Sequence, residues 1–244
     1  MYLDSRLTLL AILPGLVIIY IVYTKDKVEK EPVGMIVRLL IFGALSCIPA
    51  VAMETFMTNI LPQYPEGSFP YAFTTAFFVA ALCEEIVKYC ALRLGSWKSP
   101  YFNYRFDGIV YGVSAAVGFA LLENVEYVAM YGVQTAIVRA VLAVPLHAFC
   151  GLFMGLFYAY SKRAQIIGKN GVKAWCTFLA LIIPMCIHGI YDTLAMMRSE
   201  GAEMVLLGFV VVLYIVSIRT MNKMSKEDYK AGFYPQARVI DYDV

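Results

Sequence analysis

Acids and bases recur inside apolar stretches of this sequence. Glu84, Glu85 and Lys88 fall in one stretch, Glu123 and Asn124 in the next, His147 in a third, and His188 with Asp192 in a fourth. The chain has two histidines, and both belong to this set. A charge at mid-bilayer costs about 2.5–3.5 kcal/mol on insertion scales. A sequence that keeps so many has a structural or chemical use for them. On a helix, Lys88 can meet Glu84 at i,i+4 and Glu85 at i,i+3, and one ammonium neutralises one carboxylate. The other glutamate is then free to take a proton from water, the task of a general base. His188 and Asp192 are also i,i+4, so Asp192 can hold the ring and set its tautomer. Phe119 shares a helix face with Glu123.

Three chemistries suit this set. One is hydrolysis with a glutamate as base and a histidine as acid or oxyanion stabiliser. Another is hydrolysis on a metal bound by His and Glu or Asp. The third is a proton or cation relay through the membrane. The H-E-x-x-H pattern of the commonest zinc proteases is absent, as is the G-x-S-x-G of serine hydrolases.

The elements that must position these groups are membrane helices. Of 244 residues, 61% are hydrophobic and 16% charged, and mean hydropathy is +0.69. A soluble domain is nearer half apolar and a quarter charged. The net charge of +2, without a dense basic block, is too small to suggest a nucleic-acid partner, and none is expected. Seven apolar runs, 7–23, 33–53, 72–92, 109–128, 137–160, 174–197 and 204–218, predict an all-α, polytopic bundle of about seven transmembrane helices. The last run is the shortest. The first reads as a retained anchor, because Thr24-Lys25-Asp26-Lys27 comes after it rather than a small-residue cleavage site. Fifteen of the twenty lysines and arginines lie in segments on one side of these runs, against Arg6 and Arg198 on the other. The positive-inside rule then puts the N-terminus outside and the C-terminus in the cytoplasm of a multi-pass cell-membrane protein.

Residues 1–244 read as one membrane-embedded domain, with a motif-bearing core over 72–197 and a cytoplasmic tail over 219–244. The segment 54–71 reads as the longest outer loop. At about 1.5 Å per residue, the polar groups of four spans share a slab near the midplane that leans outward. Arg38 and Arg139 read as structural or as lipid-facing snorkelling side chains, and Lys88 reads equally as a snorkeller or a pairing group. The six cysteines, with no C-x-x-C, read as free buried thiols. Gly112, Gly118, Gly151 and Gly155 read as sites of close helix packing.

Four motifs in order, each in a separate span, carry a resemblance. They are Glu84-Glu85-x-x-Lys88, Phe119-x-x-x-Glu123-Asn124, His147-x-x-x-Gly151 and His188-x-x-x-Asp192. Together they resemble the PrsW family of intramembrane proteases. That family is similar to the CAAX-prenyl endoproteases and bacteriocin-processing enzymes, and related to a polytopic subunit of gamma-secretase. The resemblance implies a glutamate-type peptidase making a site-1 cut in a single-span, anti-sigma-factor-like membrane protein near the outer face. It implies a catalytic set of Glu84, Glu85, Lys88, Glu123, His147, His188 and Asp192, with Glu84 as base. Phe119 and Asn124 are expected to touch the substrate. Glu123 stands where the CAAX enzymes carry a histidine, so His147 is a second candidate for activating water. No cofactor is expected on this reading. The alternative is one divalent metal such as zinc on His147, His188 and Glu123. A transporter or scaffold with buried charges is the non-enzymatic rival. The expected partners are the membrane-spanning substrate and the lipid bilayer.

Overall fold

In the computed structural model, residues 5–228, 232 and 233 are described, Ser5 and Arg6 by backbone only. The tail positions Lys230 and Arg238, and the side chain of Arg6, lie outside the described residues. Every apolar run is helical, and the described residues hold no strand. The helices are α1 (Ser5–Lys25), α2 (Val33–Leu45), α3 (Cys47–Ile60), α4 (Phe69–Thr74), a π-helical segment (Thr75–Ala81), α5 (Leu82–Ser96), α6 (Arg105–Tyr131), α7 (Val133–Val141), α8 (Ala143–Ile166), α9 (Asn170–Met196) and α10 (Glu200–Glu227). Among the described residues, six stretches are long and apolar enough to cross a membrane: Leu7–Lys25, Val33–Ile60, Arg105–Tyr131, Val133–Ile166, Asn170–Met196 and Glu200–Glu227. The run 72–92 is helical too, but Glu84, Glu85 and Lys88 make it less apolar, and all three are buried.

Proline explains two breaks. Pro145 lacks an N–H and its ring collides with the carbonyl four residues earlier. The chain bends at Leu142, and the freed Val141 carbonyl accepts a hydrogen bond from the Tyr214 hydroxyl at 2.9 Å. Pro49 stands at the same distance from Leu45, and α2 gives way to α3 at Ser46. The last apolar run continues well past 218, so much of the expected tail is the end of α10 rather than a loop. Glu54 belongs to α3, not to an outer loop, because the apolar helix runs on to Ile60.

α6 is the central helix, buried along most of its length. It packs on α8 through glycines. A Cβ built at Gly112 would stand 2.2 Å from the Gly151 carbonyl oxygen, and one at Gly155 would stand 2.0 Å from that of Gly108. Only a hydrogen at these positions lets the two backbones approach. Gly112→Ala is therefore expected to destabilise the protein by about 1–3 kcal/mol through overpacking, seen as a lower melting midpoint in detergent. The outer faces of α1, α3 and α10 expose large apolar side chains such as Leu9, Tyr20, Ile48, Leu207 and Val211, as lipid contact requires. All six cysteines are free; Cys47, Cys83, Cys150 and Cys176 are buried, whereas Cys90 and Cys186 are exposed on outward-facing helix surfaces.

Candidate active site

The π-helical segment directly precedes Glu84 and Glu85. A π turn inserts an extra residue and rotates the helix beyond it, and such bulges are frequent at functional sites. Here it leads into α5, whose first turn carries the two glutamates. Phe77, on the π segment, packs on α9 at Gly189, where a Cβ would come within 2.7 Å of the phenylalanine ring. The glycine beside His188 thus allows α9 to seat against the segment that aims the glutamates.

Lys88 is the hub. It is fully buried and donates to Glu84 Oε2 at 2.8 Å, Glu85 Oε1 at 2.9 Å and His147 Nδ1 at 2.9 Å. These three acceptors match the three N–H donors of an ammonium. The Phe119 ring lies 4.1 Å below it as a cation–π face. Lys88 does not snorkel; its partners on α5 and α8 hold it inside.

An ammonium has no lone pair, so His147 Nδ1 must be the acceptor. Its Nε2 then carries the proton and donates to Glu123 Oε2 at 2.9 Å. Arg139 also donates, from Nη2 to Glu123 Oε2 at 2.8 Å and from Nε to the Asn124 side-chain oxygen at 2.8 Å. Its guanidinium lies 4.1 Å from the Tyr127 ring centroid. Arg139 therefore pairs inside the bundle, the structural one of its two expected roles, and does not snorkel. Its cation offsets the charge of Glu123, which lipid could not.

His188 sits between two carboxylates. Its Nδ1 is 2.9 Å from Glu85 Oε1, and its Nε2 is 3.2 Å from Asp192 Oδ2. Both contacts are hydrogen bonds only when each nitrogen carries a proton. The His147 and His188 rings stand edge to face, 5.3 Å apart. All seven expected catalytic residues thus lie in one connected network contributed by α5, α6, α8 and α9.

A cavity of about 460 Å³ opens beside this network. Glu84, Phe119, Glu123, His147, His188 and Asp192 line it. Glu85 and Lys88 do not; they stand behind, completely buried. Asn124 does not line it either. Its amide donates to the Ala11 carbonyl at 2.7 Å and its oxygen receives Arg139, so it ties α1 to α6. Asn124 is a packing residue here, where contact with substrate was expected. Arg139, Glu54, Tyr127 and Tyr191 line the cavity and were not among the expected catalytic or substrate-binding residues. For Arg139 the available signal was a charge inside an apolar run. Glu54 gave none, because it stood at a run's edge.

The donor atoms of Glu84, Glu85, His147 and His188 lie within 4.8 Å of one another. The set differs from the ligands expected from sequence, because Glu123 is occupied by Arg139 and its place is taken by the two glutamates.

The profile of the PrsW family intramembrane metalloproteases matches residues 31–220. The chain belongs to the PrsW family. It is 32% identical over 219 residues to Protease PrsW of Halalkalibacterium halodurans, covering 89% of this chain and 96% of that one. It is 32% identical over 212 residues to Protease PrsW of Bacillus subtilis, covering 87% and 92%. To Protease PrsW of Clostridioides difficile it is 28% identical over 233 residues, covering 93% and 94%. No solved structure matches. PrsW membership makes the chain a membrane-embedded peptidase, and the polar cavity within its helical bundle is the candidate place for hydrolysis.

Proposed function

We propose that this PrsW-family peptidase hydrolyses a peptide bond of a single-span membrane protein, with Glu84 as the base that activates water. The observation that carries this reading is the asymmetry of the glutamate pair. Both share the ammonium of Lys88, but Glu84 faces the cavity and Glu85 is sealed behind it. Lys88, Arg139 and a doubly protonated His188 stand against Glu84, Glu85, Glu123 and Asp192. With Glu54 and Glu126 also on the lining, carboxylates outnumber the cations, which leaves the cavity a place for a proton.

In this mechanism Glu84 takes a proton from water, and the hydroxide attacks the substrate carbonyl carbon. Glu85 holds His188 at Nδ1, and the Nε2–H, 3.2 Å from Asp192 Oδ2, turns from that carboxylate to the oxyanion. Glu84 returns its proton to the leaving nitrogen as the C–N bond breaks. Lys88 and Glu85 are positioning residues, since they hold Glu84 and His188 from outside the cavity. Phe119 closes the floor beneath Lys88.

The side of cleavage is inferred from the lining. Glu54 near the end of α3, Glu126 on α6, Arg139 on α7 and Met196 at the end of α9 all border the cavity. By the count of basic residues, these helix ends lie on the outer side, with the N-terminus outside and the C-terminus in the cytoplasm. That supports a cut near the outer face, and hence an anti-sigma-factor-like substrate whose scissile segment unwinds there.

A second reading is favoured by the convergence of Glu84, Glu85, His147 and His188 and by the family's description as metalloproteases. These donors fit a divalent metal such as zinc in type and mutual distance. A bound metal would act as a Lewis acid toward water. Lys88 would have to withdraw first, because it occupies three of the same acceptors. Reconstitution in liposomes with a panel of single-span substrates, with and without a strong chelator, separates the readings. Cleavage that survives the chelator is expected here. Cleavage lost with chelator and restored by zinc would replace the glutamate mechanism with the metal one.

A further inference from the structure

The opposite end of the bundle holds a second cluster of carboxylates. Asp26 and Glu31 lie in the connection between α1 and α2, Asp107 in the first turn of α6, and Asp228 just after α10. Asp107 and Glu123 are sixteen residues apart on α6, so about 24 Å of helix separates this cluster from the proteolytic cavity. All four side chains are buried: Asp26 is 1%, Glu31 3%, Asp107 1% and Asp228 2% exposed. Oxygens of Asp26, Glu31 and Asp107 lie within 4.8 Å of one another.

Their hydrogen bonds leave several oxygens over. Asp107 Oδ2 accepts the Asn103 and Tyr104 amides at 2.9 and 2.6 Å, but Oδ1 has no partner. Asp228 Oδ1 accepts the Phe106 amide at 3.0 Å, but Oδ2 has none. Glu31 receives the Tyr111 hydroxyl. Neither carboxylate oxygen of Asp26 has a side-chain partner, and its polar neighbour is the Glu31 backbone amide. None of the ion pairs among the described residues involves any of the four. The neighbouring cations, Lys30 beside Asp26 and Arg105 beside Asp228, stay beyond ion-pair distance and spend their contacts elsewhere. Lys30 Nζ donates to the Tyr23 carbonyl at 2.6 Å, and the Arg105 guanidinium lies over the Tyr160 ring. Glu29 receives the Asn103 amide. Buried carboxylates without a counter-charge cost several kcal/mol each, so a group of them calls for a cation or for protons.

We propose that Asp26, Glu31 and Asp107, with Asp228 at the rim, form a binding site for a hard divalent cation of the Ca²⁺ or Mg²⁺ class. An all-oxygen set excludes the softer metals that favour histidine or thiolate. Ca²⁺–oxygen bonds of about 2.3–2.6 Å place opposite ligands about 5 Å apart, whereas Mg²⁺ at about 2.1 Å draws them closer. The ion would pin the α1–α2 connection and the end of α10 to the start of α6. Existing bonds point the same way: Ser225 Oγ donates to the Lys25 carbonyl at 2.5 Å, and Lys25 Nζ to the Asn222 side chain at 2.9 Å.

Burial also sets how these carboxyls titrate in the metal-free protein. Burial, then the neighbouring Asp228, pushes the Asp26 carboxyl up to about 7. Burial pushes Glu31 up to about 7 against the hydrogen bond from Tyr111, and burial pushes Asp228 up to about 6. Acids with raised folded values hold protons that the unfolded chain has released. Without cation, stability from these groups is therefore present near pH 4 and lost as pH rises through about 7.

The test uses the full chain in detergent, stripped of metal, at pH 8. Equilibrium dialysis with CaCl₂ and with MgCl₂ is expected to show one equivalent bound by wild type, with a melting midpoint raised by several degrees. Asp26→Asn should lose the bound ion and the shift, and should melt higher than wild type in chelator because it removes an uncompensated charge. Glu85→Gln, at the other cluster, should keep both. No binding of either ion to wild type overturns the site and leaves shared protons as the neutralising device. Binding lost in Glu85→Gln but kept in Asp26→Asn places the ion in the cavity and overturns it too. If Asp26→Asn does not fold, wild type and Glu85→Gln still decide the matter.

Discussion

Glu84→Gln is expected to lower the cleavage rate by at least about 100-fold, the lower end of what a general base contributes, with folding intact. Glutamine keeps the shape and can still accept the Lys88 hydrogen bond at the position of Oε2. It cannot take a proton from water. Glu84 is buried but borders the cavity, and Lys88 keeps Glu85 as its counter-charge, so the melting midpoint should move far less than on loss of Lys88. The measurement is initial-rate cleavage of a single-span substrate in liposomes, beside the thermal midpoint of each protein. A variant that cleaves at the wild-type rate removes Glu84 as base. A variant that is inactive but also unfolded says nothing of chemistry, so the two readouts belong together.

The largest effect on stability is expected from Lys88→Met. Methionine fills much of the volume but leaves Glu84, Glu85 and His147 Nδ1 without the ammonium that joins them. Removing one partner of a buried ion pair costs about 3–5 kcal/mol, because the other charge stays behind unpaired. The control is the triple variant Glu84→Gln, Glu85→Gln, Lys88→Met, which removes all three charges together. It should recover most of the lost stability while remaining inactive, since only coupled residues show such non-additivity. Equal destabilisation in the single and triple variants would mean that Lys88 acts by shape and not by charge.

Within single helices, the spacing of residues was enough to read the site. Glu84 with Lys88, Glu85 with Lys88, and His188 with Asp192 are neighbours at i,i+3 or i,i+4, and each pair meets as the period of a helix requires. Between helices, spacing says nothing. Lys88 and His147 are 59 residues apart, and His188 and Glu85 are 103 apart. Their contact depends on how each helix is rotated about its axis, and that is set by packing, including the glycines of α6 and α8 and the π segment ahead of Glu84. Arg139 reads as a structural side chain or as a snorkeller until Glu123 is seen across from it. Asn124 reads as part of a motif that touches substrate until its amide is found on α1.

The amino-acid sequence by itself determined that this protein is a helical membrane bundle, and which side chains its interior must shelter. Both come from local physics: backbone groups in lipid must bond within their own segment, and a charge in an apolar run carries a fixed cost. Only the tertiary structure decided which of two adjacent glutamates faces the cavity, which cation neutralises which acid, and that Asp26, Glu31 and Asp107 converge at the far end. Those outcomes rest on contacts between segments tens of residues apart. Their energy depends on distances of a few ångströms that no local pattern encodes.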